Sequence, residues 1–431
     1  MLKRIINQSS IWKNGIFMRM FASYSVSMMG HYFDMIAIMI IFGYVWQADP
    51  ILIALIPVAI ALPQAILGQF SGVFADRVNK VKLMMVADVL TSLLTLLLFL
   101  ASNPWWALLI ISLRSIVNVV HFPAQQGLIK LVVPENQLVK AASLNGIVMQ
   151  LSKIIAPFIG GILASATSPQ ICILINAIAF FLSSLILLTI LVQKKIELSQ
   201  TVQVQREGDV HQPTFWQSWR EGWVIIVEHR ILWVSFLISF VGLLFIQMID
   251  VQYTTWFREI APNRQEILGW LFAASGLGAV MMMLFLNRYE HLRGYGWLLG
   301  GSLVCIGIGF GGVGLLQIGF QLWLPIVYGI VVGIGVALYS IGFQYIIQKH
   351  TSKETIGRIS GISNSIASFC VVLAPLIGGF LVQNWGAGTI FISIGIICTL
   401  IGSLAILFQK RLWKEKEADF EKNVGHLQKN M

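Results

Sequence analysis

The sequence predicts an all-α membrane protein, and composition, length and charge placement are the three grounds for that prediction. Its 431 residues are 57% hydrophobic and 11% charged, with a mean hydropathy of +0.80, whereas soluble domains carry roughly 25% charged residues. This length accommodates about twelve helices of the roughly 20 residues that a bilayer core requires. The net charge is +10. The basic residues that produce it are concentrated on one predicted side of the membrane, so we do not expect a nucleic-acid partner.

Apolar runs bounded by charged residues, Gly, Pro and Asn predict twelve spans. The first is interrupted by His31 and Asp34, and no small-residue cleavage site follows it, so we do not expect a removable signal peptide. The predicted spans lie near 16–46, 51–75, 82–100, 105–128, 141–164, 171–192, 231–256, 267–286, 296–315, 322–347, 359–381 and 389–408.

The positions of Lys and Arg predict the orientation of these spans. With both chain ends in the cytoplasm, 25 of the 29 basic residues fall on the cytoplasmic side, and only Arg258 and Arg264 fall outside. The other two, Arg114 and Lys153, lie within spans. Because basic residues are retained on the cytoplasmic side, both termini are predicted to be cytoplasmic.

One long polar interval divides the spans six and six. We expect an N-terminal bundle over 1–192, a cytoplasmic linker over 193–230, a C-terminal bundle over 231–408 and a cytoplasmic tail over 409–431. Thr214 is a possible helix cap within the linker, and Trp216, Trp219 and Trp223 recur at helical spacing. This pattern is typical of an amphipathic helix on the inner membrane surface, which we interpret as an ordinary linker rather than a regulatory element.

An internal repeat supports the same division. The element Ala-Pro-x-Ile-Gly-Gly ends the segment 140–161 and recurs 218 residues later, in the segment 358–379. Each copy starts a span from the cytoplasm, so the two halves share one orientation. Parallel repeats of this kind place a binding site at their interface near the bilayer midplane, and we therefore expect a cavity between two bundles that rock against each other.

The loop between spans 2 and 3 reads GVFADRVNKVK over 72–82. It resembles the signature G-x-x-x-D-R-x-G-R/K-x of the major facilitator superfamily, with Asn79 at a position that usually holds Gly. Asn tolerates the left-handed backbone better than most residues, so we expect the turn to survive. The resemblance implies a conformational latch between this loop and the start of span 11, although solvated loop charges are the alternative. The implied latch residues are Gly72, where a close helix contact is expected, Asp76, Arg77, Lys80 and Arg358.

Span 5 carries SKIIAPFIGG over 152–161, which resembles the superfamily's antiporter motif G-x-x-x-G-P-x-x-G-G. Ser152 and Ala156 replace two glycines, but small residues still let helices approach closely and proline still removes a backbone bond. The motif implies a helix-packing role for Ala156, Pro157, Gly160 and Gly161. The whole chain resembles the twelve-span drug efflux branch that contains macrolide exporters and some siderophore exporters, which implies a bacterial cell membrane.

Charged residues inside the spans are the candidates for chemistry, because each costs about 2.5–3.5 kcal/mol at the bilayer centre unless it faces a cavity or a partner. Asp34 and Arg114 fall near the middle, and we expect Asp34 to carry a coupled proton, with a structural salt bridge as the alternative. Arg114 matches an intramembrane arginine that the efflux families link to proton movement. Asp88, nearer the cytoplasmic end, is expected to brace the Asp76 turn.

Three further residues are predicted to line a substrate cavity. His31 precedes Asp34 on span 1, and a packing role for this histidine is the competing interpretation. Lys153 shares a helical stripe with the motif of span 5, and its equivalent in the second repeat is Val371, so the fold itself does not require a charge there. Asp250 falls near the outer end of span 7.

The sequence therefore predicts a transporter and not an enzyme. The leading interpretation is a secondary active exporter of amphipathic small molecules of drug or macrolide type, working by proton antiport and alternating access. One alternative is an exporter or flippase of an anionic substrate such as a siderophore or lysophospholipid, and another is a non-transporting membrane sensor. A Gly-Lys dipeptide of an ATP-binding loop is absent, so H⁺ or Na⁺ is the expected energy source. We expect a monomer in contact with membrane lipids, without a metal or cofactor.

Overall fold

The computed structural model describes residues 11–134, 137–192, 215–288, 294–352 and 355–413. Their regular structure is helical, and twelve helices are long and apolar enough to cross a membrane. This confirms the predicted all-α membrane fold, and the spans keep their numbers below. They are Gly15–Val45, Pro50–Gly68, Lys80–Phe99, Pro104–Val132, Lys140–Ala164, Pro169–Val192, Arg230–Ile260, Glu266–Leu286, Gly296–Gly314, Trp323–His350, Arg358–Trp385 and Ala387–Leu407.

Several helices extend beyond the apolar part of their span or are interrupted within it. The helix of span 2 runs Pro50–Arg77, that of span 5 Leu138–Ala166 and that of span 11 Ile356–Trp385. Spans 1 and 9 each contain one wide helical turn, Ile41–Val45 and Gly296–Gly300. Outside the spans lie the linker helix Phe215–Glu228, a first turn Ile11–Lys13 and a last one Gln409–Leu412.

Span 4, predicted near 105–128, extends over Pro104–Val132 and is divided into two helices. It consists of Pro104–Asn118 and His121–Val132, with a break at Val119 and Val120. Pro123 explains the break, because it has no N–H for the carbonyl four residues earlier and its ring clashes with that carbonyl. Span 7 is also interrupted. The turn Asp250–Gln252 separates Arg230–Ile249 from Tyr253–Ile260.

The buried apolar core is distributed differently at the two ends of the bundle. We call the end at which the chain enters span 1 and leaves span 12 the termini face, and the opposite end the far face. At the far face, a single cluster joins the two halves and includes Phe42, Ile53, Tyr253 and Phe391. At the termini face each half has its own cluster. The halves are therefore fused at one end only.

Contacts between the halves follow the same division. Span 2 packs on span 11 and span 5 packs on span 8. A Cβ atom placed on Gly379 would lie 2.8 Å from Cβ of Ala54, and one placed on Gly161 would lie 2.5 Å from Cα of Gly269. Both separations are too short for a real side chain, so glycine is required where the helices meet at the far face.

The same helices separate toward the termini face. Gly72 lies eighteen residues after Ala54 on span 2, and Gly361 lies eighteen residues before Gly379 on span 11. Eighteen residues are five helical turns, so both glycines lie on the faces through which the spans touch at the far face. Nothing lies within 4 Å of a Cβ placed on either one. We call the resulting space between the halves the central crevice.

Candidate transport site

The predicted proton-coupling residues form one ion pair inside the N-terminal half. Nη2 of Arg114 on span 4 lies 2.5 Å from Oδ2 of Asp34 on span 1, and both side chains are buried. Nη1 of Arg114 also donates to Oγ1 of Thr95 on span 3, at 3.5 Å. A buried carboxylate is tolerated in this way, because a cation compensates its charge.

The packing of span 1 aims Asp34 at span 4. A Cβ on Gly30 would lie 2.8 Å from Oδ1 of Asn176, so this glycine brings span 1 against span 6. Phe33 packs on Gly160 of span 5, which leaves Asp34 directed at Arg114. His31, predicted to line the cavity, is half-buried on a neighbouring part of the helix, and its ring meets Tyr32 edge-on.

Lys153 is exposed. It lies on span 5, nearer to the termini face than the glycines that make the far-face contacts. It precedes Gly160 by seven residues and Gly161 by eight, which places it about 20° and about 80° around the helix from them. Gly160 faces span 1 and Gly161 faces span 8. Lys153 therefore lies on the side of span 5 that faces spans 1 and 8.

Asp250 is half-buried in the turn that interrupts span 7. Beside Asp250, polar contacts close the far face in addition to the close helix contacts at glycine. Nη1 of Arg258 donates to the carbonyl oxygens of Gly43 at 3.1 Å and Ala48 at 2.9 Å, and Nε2 of Gln252 donates to that of Pro50 at 3.0 Å. Span 7 thereby holds the loop between spans 1 and 2.

Asp88 was expected to contact the turn at Asp76. The contacts that the structure records for Asp88 are with spans 4 and 6. Asp88 is fully buried; its Oδ1 lies 3.2 Å from Nε2 of His121, and its Oδ2 accepts a hydrogen bond of 2.6 Å from Ser183. The reason is helical phase, since Asp88 lies on the inward face of span 3 together with Thr91 and Thr95. This pair is a second buried polar site in the N-terminal half.

In this conformation the predicted latch residue Arg358 pairs with the linker helix. Arg358 forms an ion pair with Glu221 of the linker helix, and a Cβ on Gly222 would lie 2.7 Å from Cδ1 of Ile362, so this helix lies closely on span 11. The side chain of Asp76 lies outside the described residues. Gly72 makes no close helix contact, contrary to expectation, because spans 2 and 11 are apart at this end.

The remaining latch residues surround the start of span 3. Arg77 is exposed, and the chain of Lys80 lies over Gly127 of span 4. The expectation of a left-handed Asn79 is wrong: its φ is −61°, and its side chain caps span 3 by accepting from the backbone N–H of Lys82 at 3.1 Å. Asn serves here as a helix cap, and this explains its tolerance at the position of the signature's glycine.

The motif of span 5 lies within a continuous helix. Ala156 is buried, while Gly160 and Gly161 give close contacts to spans 1 and 8 respectively. The side chain of Pro157 lies outside the described residues. On the linker, the helix begins at Phe215, so the proposed cap at Thr214 also lies outside the described part of the chain.

Sequence analysis missed several of these partners. His121, Ser183, Glu221 and Arg258 meet their partners across 33 to 215 positions of sequence, and the spacing of a single helix carries no information about such pairs. One signal was available for span 3, because Asp88, Thr91 and Thr95 follow a three-and-four spacing that marks a polar inward stripe. Across the described residues, His, Cys, Asp and Glu side chains form no group of three that could hold a metal ion.

Comparisons with known proteins agree with this architecture. The model of the family described as Major Facilitator Superfamily matches residues 20–261 and 263–429. An uncharacterized MFS-type transporter of Bacillus subtilis, YfiS, is 25% identical over 397 residues, which are 91% of this chain and 93% of that protein. Macrolide efflux protein A of Streptococcus pyogenes is 24% identical over 360 residues, which are 80% of this chain and 85% of that protein.

Solved structures show the same fold at lower identity. The nucleoside transporter NupG superimposes with a TM-score of 0.70 at 13% identity, covering 94% of this chain and all of that one. A bacterial homologue of the human lysosomal transporter Spinster gives 0.67 at 14% identity, covering 93% and 98%. These similarities and the twelve spans indicate a multi-pass membrane transporter rather than an enzyme. This chain belongs to the major facilitator superfamily.

Proposed function

We propose that this protein is a proton-coupled exporter of amphipathic small molecules of drug or macrolide type. The observation that carries the proposal is the buried ion pair of Asp34 and Arg114, at 2.5 Å. In a coupled carrier, a carboxylate must exchange a proton for a cationic partner as access changes sides. The similarity to macrolide efflux protein A over 80% of the chain supports the substrate class.

The asymmetry between the two faces supports alternating access. With the predicted orientation, the termini face is cytoplasmic, so the central crevice opens to the cytoplasm and to the inner leaflet. An amphipathic substrate enters there and meets the aromatic side chain of Tyr32, the imidazole of His31 and the cation of Lys153. Closure of the termini face and opening of the far face then expose the substrate to the outside.

The proton acts on the pair that ties span 1 to span 4. When Asp34 binds a proton, its charge is lost and so is most of its attraction to Arg114. Span 1 is then free to move relative to span 4, while Thr95 still accepts from the guanidinium. Return of the proton to the solution restores the pair. Each time the ion pair breaks or forms, span 1 therefore changes its position. Span 1 also packs in the far-face core.

A flux assay tests this proposal. Purified protein in liposomes is given a pH gradient and a radiolabelled macrolide, and Asp34→Asn is expected to abolish gradient-driven accumulation because it cannot exchange a proton. Asp49→Asn makes the same chemical change at an exposed position before span 2 and should transport like the wild type. Unchanged accumulation in Asp34→Asn would exclude this residue from the coupling.

A second candidate is export of an anionic amphiphile, and Lys153 favours it. Its ammonium group is exposed on the crevice side of span 5, and in the described ranges no carboxylate forms an ion pair with it. A cation in a partly dehydrated crevice attracts anions strongly. Lys153→Gln should therefore weaken transport of an anionic substrate and spare a cationic one. Equal effects on both classes would reject this alternative.

A further inference from the structure

A second buried acid–base pair lies in the N-terminal half. Asp88 on span 3 is fully buried, and its Oδ1 lies 3.2 Å from Nε2 of His121 on span 4. In the described part of the chain, neither atom has another hydrogen-bond partner. Because an uncompensated buried charge costs several kcal/mol per ion, the charge state of each residue depends on the other.

Hydroxyl groups from two more spans orient the carboxylate. Ser183 on span 6 donates its one proton to Oδ2 of Asp88 at 2.6 Å. Oγ of Ser183 lies 2.7 Å from Oγ of Ser23 on span 1, so Ser23 donates in this second bond. Both bonds run toward Asp88, which makes the carboxylate the acceptor of the chain. The exchangeable proton is therefore the one between Oδ1 of Asp88 and Nε2 of His121.

This pair shares its helices with the pair of Asp34 and Arg114. Arg114 and His121 are seven residues apart on span 4, and Asp88 and Thr95 are seven residues apart on span 3. At helical rise the two sites are therefore about 10 Å apart along the bundle axis. Thr91 lies between Asp88 and Thr95 with its hydroxyl buried and, among the described residues, without a hydrogen-bond partner. Thr91 therefore places one polar side chain between the two sites.

The break in span 4 lies between the two sites. His121 is the first residue of the second helix of that span, and its side chain is 13% exposed while that of Asp88 is 0% exposed. Since span 4 ends at the termini face, His121 lies on the termini side of Asp34. The histidine is therefore the more exposed member of the pair.

We propose that Asp88 and His121 form a second proton-binding site, through which the proton released by Asp34 leaves toward the termini face. This inference rests on the proposed proton coupling. The proton leaves the carboxyl of Asp34, which becomes a carboxylate paired with Arg114. It binds Nε2 of His121, giving an imidazolium beside the carboxylate of Asp88, and is then lost to the solution.

The groups around His121 are consistent with one exchangeable proton. Span 3 contributes the charge of Asp88, while spans 1 and 6 contribute the hydroxyls of Ser23 and Ser183. Toward the far face, Asp34 and Arg114 neutralise each other two turns away. Toward the termini face, the chain of Lys80 lies over Gly127 of span 4. The carboxylate of Asp88 lies 3.2 Å from Nε2 of His121 and favours the protonated imidazole, so removal of Asp88 must alter proton binding at His121.

The first test needs no substrate and reports on the site alone. The full chain is purified with isotope-labelled histidine, and the imidazole signal of His121, one of seven histidines, is identified by its loss in His121→Gln. The signal should titrate, because the imidazole is the proton acceptor of the proposed site. Asp88→Asn should move its midpoint, since the neighbouring carboxylate is lost, whereas Asp49→Asn should leave it in place. The proposal is overturned if the signal does not titrate, or if Asp88→Asn leaves its midpoint unchanged.

The second test separates the proton path from substrate binding. Both His121→Gln and Asp88→Asn should reduce pH-gradient-driven accumulation by about tenfold or more. Exchange of labelled for unlabelled substrate at equal pH should remain close to that of the wild type. Accumulation that matches the wild type in these variants overturns the path. Failure of the Asp34→Asn test would instead leave the histidine titration intact, so the two proposals fail separately.

Discussion

The two faces of the molecule use the same helices in opposite ways. At the far face, Gly379 and Ala54 bring spans 11 and 2 into contact, and Arg258 ties span 7 to the loop after span 1. At the termini face, Gly361 and Gly72 occupy the equivalent helical positions and touch nothing within 4 Å. The contrast teaches that helical phase alone does not bring two spans together, because positions of the same phase are in contact at one end and separate at the other.

The largest effect is expected from filling the far-face contact. Gly379→Leu places a side chain where even a Cβ would lie 2.8 Å from Ala54, and such overpacking costs about 3 kcal/mol or more. The variant should favour the conformation with the far face open. Distances between spin labels on the far-face ends of spans 2 and 11 would measure the shift.

Gly361→Leu is the matched control, because it lies on the same face of the same helix in open space. It should leave the labels on the far face at the wild-type distance and obstruct closure of the termini face instead. Identical distance distributions for the two leucine variants would contradict the proposed alternation of contacts.

A smaller effect is expected from Arg258, whose guanidinium donates to the carbonyls of Gly43 and Ala48. Hydrogen bonds from charged groups contribute about 1.5–3 kcal/mol, so Arg258→Gln should loosen the far face without filling it. The exposed Arg264, on the loop that follows span 7, provides the control variant Arg264→Gln. Accessibility of a cysteine placed in the far-face loop measures the change, and equal labelling rates in both variants would rule out this contribution.

The smallest effect is expected at the termini face. The pair of Arg358 and Glu221 is 33% and 50% exposed, and an ion pair of such exposure contributes below about 1 kcal/mol. Glu221→Gln should release Arg358, which is then available to the implied partner Asp76, and should modestly favour closure of this face. Glu228→Gln changes an exposed acid on the same helix. Spin-label distances across the termini face would distinguish the two variants, and identical distances would argue against a restraining role for Glu221.

The fold was accessible from sequence because a bilayer leaves few alternatives. Every backbone group must be satisfied within its own segment, so twelve apolar runs become twelve helices. The break in span 4 was missed, although Pro123 is visible in the sequence, because an apolar run of this length resembles an unbroken helix. The misassigned Asn79 shows the same limit, since an asparagine suits both a left-handed turn and a helix cap.

The candidate site was only partly accessible from sequence. Asp34 and Arg114 were singled out because a charge inside a bilayer requires a partner, and the structure places the two together. The partners recorded for Asp88, which are His121 and Ser183, were not predicted, because position along one helix says little about neighbours on another. Glu221 was not considered a partner of Arg358 because the two are 137 residues apart.

The amino-acid sequence by itself determined the number of spans and which side chains are costly to bury, since hydropathy and charge are properties of single segments. It also predicted the six-and-six division. Only the tertiary structure decided which costly side chains meet, and which end of the central crevice is closed. Those outcomes depend on helix phase and on close approach at individual glycines, and both are set by all twelve spans packing at once.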